Sequence, residues 1–327
     1  MSDAVVVVGS YNQDLAFETS SFPAPGETRL GTFRTGPGGK GFNQAVACHR
    51  QGVATRFVGA VGDDGFATGL RQFAEAEGLA TELQVVPEVP TGAAGITVDG
   101  TGQNLIVVGL GANDELSPDH IDSIEDTIAG ARVVVTQLEC DLGATRRALE
   151  LARRHGVTTV LNPAPINTAL DIELLSLVDI LVPNESEYEF LLNHVFDVVI
   201  GDPAKATDAD LIDGARRVGV ATLIVTLGGS GSRVVDAVEG WSVRVDAMTA
   251  DTVDTTGAGD AFCGGLAAGL VRFPDDLLGA VRYANIVAGM STEAVGTSPA
   301  MPSRADVERR IPGRFDAPRR RSRRAGR

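Results

Sequence analysis

Two glycine-rich segments contain residues whose types and spacing suit the transfer of a phosphoryl group. One is DTTGAGDAF, residues 254–262, which is followed by a helix-compatible run. Its glycines free backbone N–H groups to point at one spot, and the start of a helix adds partial positive charge, so we predict an anion hole at Gly257, Ala258 and Gly259. Asp260 lies at its mouth, where a carboxylate can accept the proton of an attacking hydroxyl. Taken alone, the motif is equally compatible with a helix cap and a simple turn.

The second segment is GPGGKGFNQ, residues 36–44. It contains the GxGxxG pattern of dinucleotide-binding folds, but that pattern should directly follow the first strand, and here a predicted hairpin comes between them. It is not a P-loop either, since Arg34 and Gly41 stand where that motif needs a glycine and a hydroxyl. Bare backbone amides with Lys40 and Asn43 suit a polyhydroxylated ligand such as a sugar. A glycine-rich helix start that binds no ligand is the alternative.

Short polar side chains follow several predicted strands. Asn12 and Asp14 come after the first strand, Glu139 after a later one, and Asn184 and Glu187 after another. Because the carboxyl ends of parallel strands meet at one edge of a sheet, we expect these residues to share one cleft. Individually they also fit an Asx turn, the start of a helix and a solvated face.

The elements that must position these residues alternate between strands and helices. Continuous apolar runs predict central strands at residues 4–9, 56–61, 132–137, 158–161, 180–182 and 223–227. Helical periodicity predicts helices at 43–50, 67–77, 142–154 and 211–218. The alternation predicts a doubly wound α/β fold, a mainly parallel sheet with helices on both faces. Residues 15–35 and 91–108 break it and are predicted to form hairpins of a small lid over the carboxyl edge.

Composition limits the classes of protein and partner. The 327 residues carry a formal net charge of −15, which argues against general binding of nucleic acid or anionic membranes. No apolar run approaches the roughly 20 residues of a membrane helix, and the three cysteines form no CxxC pair. We therefore expect a cytoplasmic protein without disulfides or a zinc site. Residues 1–312 are predicted to form the folded domain and residues 313–327 a basic disordered tail.

Taken together, the motifs resemble the ribokinase branch of the PfkB-type carbohydrate kinase family. GGKGFNQA near the amino end and DTTGAGDAF near the carboxyl end match its two signatures, and NPAP, PNESE and TLGGSG are similar to its intermediate segments. The resemblance runs from about Val5 to Pro302. It implies a ribokinase-like doubly wound α/β fold with a small β-sheet lid that often mediates dimerisation. It also implies transfer of phosphate from ATP to a sugar hydroxyl.

The resemblance implies a role for each matching residue, with Asp260 as the general base. The sugar would be held by Asn12, Asp14, Gly38, Gly39, Lys40, Asn43 and Glu139. ATP would be held by Asn184, Thr226, Leu227, Gly228, Gly229, Ser230, Gly231, Gly259 and Asn285. Glu187 would help to hold magnesium through water. A potassium ion would be bound, mainly through backbone carbonyls, by Asp254, Thr256, Ser291, Ala294, Gly296 and Ala300.

The choice of sugar rests on fewer residues. GQNLIVVGLGAN looks closer to ribose kinases than to other branches, and Asn12, Asp14 and Glu139 fit a small neutral pentose, so ribose is the expected substrate. Fructose, 2-keto-3-deoxygluconate and adenosine are the alternatives within the family. A non-catalytic sugar-binding regulator should have lost Asp260 or the adjacent glycines, and both are present.

Overall fold

The computed structural model describes residues 4–196 and 203–312. The predicted tail, residues 313–327, lies outside them. In chain order the strands are β1 (Ala4–Val8), β2 (Asn12–Glu18), β3 (Thr32–Gly38), β4 (Ala54–Val61), β5 (Ala80–Val85), β6 (Ala93–Val98), β7 (Asn104–Gly109), β8 (Val133–Thr136), β9 (Thr158–Leu161), β10 (Ile180–Leu181), β11 (Thr222–Thr226), β12 (Ser232–Asp236) and β13 (Trp241–Val245).

The helices are α1 (Lys40–Arg50), α2 (Gly65–Glu77), α3 (Pro118–Ser123), α4 (Glu125–Ala129), α5 (Leu142–Arg154), α6 (Ile172–Leu175), α7 (Glu185–Phe196), α8 (Asp208–Val218), α9 (Ala258–Arg272), α10 (Leu277–Ser291) and α11 (Arg304–Arg310). Short 3₁₀ turns occur at Gly111–Glu115, Gly228–Ser230 and Ser298–Ala300. None of the described helices combines the length and the apolar character needed to cross a membrane.

The large sheet has nine strands in the order β13-β12-β11-β10-β9-β8-β1-β4-β5. Strands β11 to β5 in this order pair in parallel, whereas β12 and β13 add an antiparallel edge. Alternate residues of β1 serve opposite faces: Val5 and Val7 pack in one apolar core with α1, α9 and α10, while Val6 and Val8 pack in a second core with α5. Because parallel strands are buried on both faces, β1 is continuously apolar. The predicted doubly wound fold is confirmed.

The small sheet has four strands in the order β3-β2-β6-β7. Both predicted hairpins are present, β2 with β3 and β6 with β7, and a parallel pairing of β2 with β6 joins them. Asn12 and Asp14 belong to β2 rather than to a turn after β1, because the chain leaves β1 at Val8 and enters the lid within a few residues. The lid strand therefore carries these two polar residues back over the edge of the large sheet.

Helices α1 and α9 pack closely against each other below that edge. A Cβ atom at Gly264 of α9 would lie 2.5 Å from the carbonyl oxygen of Gln44 in α1, closer than any real side chain tolerates. Glycine at this position therefore permits the approach that brings α1 side chains to the first turn of α9.

Candidate active site

Asp260 lies in the first turn of α9, and only 7% of it is exposed. Gly257 precedes the helix with a φ of 78°, a conformation that favours glycine. Asp260 Oδ2 accepts a hydrogen bond from Asn43 Nδ2 (2.9 Å), and Oδ1 accepts one from Gln44 Nε2 (3.0 Å). Both oxygens are thus oriented by amides of α1 rather than used to cap α9. The alternative interpretation of Asp260 as a simple helix cap is not supported.

The residues of the predicted anion hole line a cleft of about 190 Å³, which Asp260 also lines. A Cβ atom at Gly259 would meet no other atom within 4 Å, so this backbone segment faces open space. The cleft is also lined by Lys40, Asn184, Glu187 and Thr226. Backbone N–H groups at a helix start can hold an anion at this point. Of the polar residues predicted to share one cleft, Asn184 and Glu187 line this one, whereas Asn12, Asp14 and Glu139 do not.

Lys40 is the cation of this cleft. Burial alone would lower the pKa of Lys40, but the carboxylates of Asp260, Glu139 and Glu187 outweigh burial and raise its pKa above the ordinary value. The ammonium group therefore stays charged at neutral pH. Its side chain lines the cleft, whereas its backbone N–H donates to Glu139 Oε2 (3.0 Å) on the predicted sugar side.

Asn184 and Glu187 hold each other at the start of α7. Glu187 Oε2 accepts from the backbone N–H of Asn184 (2.9 Å), and Oε1 accepts from Asn184 Nδ2 (3.0 Å). Burial raises the pKa of Glu187, and the negative charge of Asp260 raises it further. The hydrogen bond from the backbone N–H of Asn184 and the charge of Lys40 lower this pKa, but burial outweighs them. Glu187 is therefore a buried carboxylate facing the cleft, not the solvated residue of the alternative interpretation.

The predicted sugar-binding residues lie on the lid side of Asp260. Ser10 Oγ donates to Glu139 Oε2 at 2.5 Å, and Asn113 Nδ2 donates to Asn12 Oδ1 at 3.0 Å. Thr297 Oγ1 donates to Asp14 Oδ2 at 3.1 Å. Burial raises the pKa of Asp14 to about 6, and the negative charges of Glu139 and Asp260 contribute to the rise. The hydrogen bond from Thr297 lowers this pKa but does not outweigh burial. The carboxylates of Asp14, Glu139 and Asp260 thus lie close enough for their charges to interact, and Asn12 is on the same lid strand as Asp14.

Two glycines bring the glycine-rich segment against the lid strand. Gly39 has a φ of 89°, and a Cβ atom there would lie 2.5 Å from the backbone nitrogen of Asn12. A Cβ atom at Gly38 would collide with the carboxylate of Asp14. Both glycines therefore permit a close approach that a side chain would prevent.

Three of the predicted nucleotide residues, Asn184, Thr226 and Gly259, line the cleft, and the others lie in the loop after β11 and in α10. Thr226 ends β11, and the loop that follows turns through a 3₁₀ segment, with Gly228 at a φ of 50° and Gly231 at 86°. Asn285 Nδ2 donates to Ser232 Oγ (3.2 Å) and to the carbonyl of Val245 (3.3 Å). Asn285 thereby links α10 by hydrogen bonds to the first residue of β12 and the last residue of β13.

The two segments that carry the predicted potassium ligands are joined by one carboxylate. Asp254 Oδ1 accepts from the N–H of Thr256 (2.9 Å), and Oδ2 accepts from the N–H of Gly296 (3.0 Å). The N–H groups of Val253 and Asp254 also donate to the carbonyl of Thr292. The arrangement brings residues 254–256 and 292–296 together, which suits a cation bound by backbone oxygens of both segments.

Sequence reasoning missed several residues that orient this site. They are Ser10, Gln44, Asn113, Thr297 and Ser298. Each acts by a hydrogen bond across a large separation along the chain. Gln44 alone had a signal, since it lies one residue from Asn43 on the same helix.

Comparisons with known proteins show which family the chain belongs to. The model of the pfkB family carbohydrate kinases matches residues 2–304. A ribokinase from Mus musculus is 37% identical over 307 residues, 93% of each chain, and a deoxyribokinase from Salmonella typhi is 35% identical over 91% of this chain and 95% of its own. The structure of Arabidopsis thaliana ribokinase complexed with ribose and ATP superposes with a TM-score of 0.84 at 29% identity, covering 94% of this chain and 98% of that chain. This chain therefore belongs to the pfkB family of carbohydrate kinases.

Proposed function

We propose that the protein transfers the terminal phosphoryl group of ATP to the 5-hydroxyl of ribose. The observation that carries the proposal is the position of Asp260, which is buried, lines the cleft with Lys40 and the start of α9, and lies close enough to Asp14 for their charges to interact. The ribokinase relatives, and the solved ribokinase that holds ribose and ATP, support this choice of substrates.

In this mechanism Asp260 accepts the proton of the sugar hydroxyl as that oxygen attacks phosphorus. Asn43 and Gln44 keep both carboxylate oxygens in place as acceptors. The N–H groups at Gly257 to Gly259 and the ammonium of Lys40 stabilise the charge on the transferring group. Glu139 and Asp14 accept hydrogen bonds from the remaining sugar hydroxyls, for which carboxylates are suited.

Glu187 and Asn184 fit a magnesium ion bound with ATP, because oxygen donors are what this ion prefers. Within residues 4–196 and 203–312 there is no cluster of three or more His, Cys, Asp or Glu side chains arranged to hold a metal. Glu187 would therefore hold magnesium through water, with phosphates supplying other ligands. When bound there, magnesium would supply positive charge that offsets the charge of the ATP phosphates.

The proposed function is tested by ADP release from ATP and magnesium, with ribose, deoxyribose, fructose, 2-keto-3-deoxygluconate and adenosine as acceptors. Deoxyribose is the second candidate, because the deoxyribokinase relative is nearly as similar as the ribokinases. The highest kcat/KM with ribose is the expected result. A higher value with another acceptor would reassign the substrate, and no turnover with any of them would contradict a kinase.

We propose that potassium activates the enzyme through the loops joined by Asp254. Ala300, which lacks the serine hydroxyl usual in the family, would contribute only its carbonyl. Turnover should therefore be higher in potassium than in sodium or choline at equal ionic strength, and Asp254→Asn should weaken this dependence because it removes one acceptor between the loops. Initial rates of ADP release in the three salts measure this effect. Equal rates would contradict it.

We propose that the protein is a homodimer joined through the outer face of the lid. That face exposes apolar side chains, among them Phe33 (56%), Leu105 (58%) and Val107 (76%). Val107→Asp should shift the protein towards the monomer in light scattering, because it places a charge on an apolar face. The matched control is Val238→Asp, since Val238 is equally exposed (72%) in the turn between β12 and β13. A monomeric wild-type protein would contradict the proposal.

A further inference from the structure

The segment between α10 and α11 contacts several parts of the site at once. Ser298 Oγ donates to Asn43 Oδ1 at 2.6 Å, and the preceding Thr297 reaches Asp14. A Cβ atom at Gly257, the first residue of the predicted anion hole, would lie 3.5 Å from the Cα atom of Thr297. One short turn therefore adjoins the predicted sugar carboxylate, the amide that contacts Asp260 and the start of α9.

Ser298 holds the Asn43 amide from the side opposite Asp260. An asparagine amide has an acceptor on one side and a donor on the other. Because Ser298 donates to Oδ1, the Nδ2 group is left to face Asp260 Oδ2. In the opposite orientation the amide oxygen would face the carboxylate, and the two acceptors would repel. Ser298 has no exposed surface, so bulk water does not replace its hydroxyl.

The turn that carries Ser298 is itself held on the scaffold. Arg50 Nη1 donates to the carbonyls of Pro299 (3.0 Å) and Met301 (2.6 Å), while Glu77 binds the same guanidinium group through both oxygens. Gln51 Nε2 donates to the carbonyl of Pro302 (2.7 Å). These contacts come from the end of α1, the helix that also carries Asn43. The distance between Ser298 and Asn43 is thereby fixed by the packing of one helix end.

We propose that Ser298 is a positioning residue of the reaction, which orients Asn43 so that Asp260 remains a fully accepting base. The inference rests on the proposed function, because it concerns the base of that reaction. It assigns to the turn Ser298–Ala300 a role in the catalytic step in addition to any role in cation binding.

Ser298→Ala should lower kcat about tenfold, with little change in the KM of ATP. The acidic limb of the kcat profile should move to higher pH, because the Asn43 amide is no longer held with its donor towards Asp260. The other titratable groups that face Asp260 are Asp14, Lys40, Glu187 and Cys263, and they are the same in both proteins. Ser298→Thr retains a hydroxyl and should restore most of the rate and the original limb.

A titration of the Asp260 carboxyl carbon by NMR in the protein without substrates should show the same shift. It does not depend on turnover, so it still tests the inference if ribose is not the substrate. The structural control is Thr159→Val, which removes a buried hydroxyl that donates to the carbonyl of Leu177 (2.7 Å). It should lower Tm without moving either titration. The potassium concentration for half-activation should also be unchanged in Ser298→Ala.

An unshifted titration of Asp260 in Ser298→Ala would overturn the inference, whatever happens to Tm. A fall in kcat explained wholly by a changed potassium requirement would also overturn it. Should Ser298→Ala fail to fold, Ser298→Cys provides the same comparison, since a thiol is close in size and a much weaker donor.

Discussion

Asp260→Asn should lower turnover by roughly a hundredfold or more, the scale of a lost general base. The substitution keeps the size of the side chain but removes its ability to take a proton. Affinities for sugar and ATP should be nearly unchanged, because the proposed sugar contacts of Asp14 and Glu139 and the proposed phosphate contacts at the start of α9 all remain. The amides of Asn43 and Gln44 both donate to this side chain, so an NH2 group there leaves one donor unmatched and should lower Tm modestly.

ADP release gives kcat, and isothermal titration calorimetry gives the two dissociation constants separately. The matched control is Asp276→Asn, which alters an aspartate that accepts from the N–H of Gly279 at the start of the neighbouring helix α10. Asparagine caps helices as well as aspartate does, so the control should retain full activity. Near-normal turnover of Asp260→Asn would remove Asp260 from the role of base.

Lys40→Met should lower turnover by roughly a hundredfold or more, because it removes a preorganised positive charge from the transfer site. It also leaves Asp260, Glu139 and Glu187 without the cation that offsets their mutual repulsion. The affinity for ATP should fall, whereas the affinity for sugar should change little. The sugar-side contact of Lys40 is its backbone N–H to Glu139, which methionine retains.

This experiment separates two assignments of the same residue. The sequence motif predicts that Lys40 holds the sugar, while its side chain lines the cleft beside the anion hole. The matched control is Lys205→Met, since Lys205 is the other lysine of the chain and is exposed. A weakened sugar affinity with an intact ATP affinity would return the Lys40 side chain to the sugar.

The hydrophobic pattern of short sequence segments was enough to predict the central strands of the fold. The strands β1, β8, β9 and β11 are short apolar runs, and burial on both faces makes such runs visible without any neighbour. The strands β5, β12 and β13 were not predicted. They lie towards the edges of the sheet, where β5 mixes polar and apolar residues in an only partly buried pattern. Edge strands are defined by pairing with a neighbour, and pairing is not encoded in a short window.

By itself the sequence determined the two glycine-rich motifs, the alternation of strands and helices, the family, and the prediction that Asp260 is the base. These depend on residues close together in the chain, where glycine and helix periodicity restrict the backbone directly. Only the tertiary structure decided how that aspartate is held. Asn43 lies 217 positions from it and Ser298 lies 255 from Asn43, and hydrogen bonds across such separations exist only after α1, α9 and the last turn have packed together.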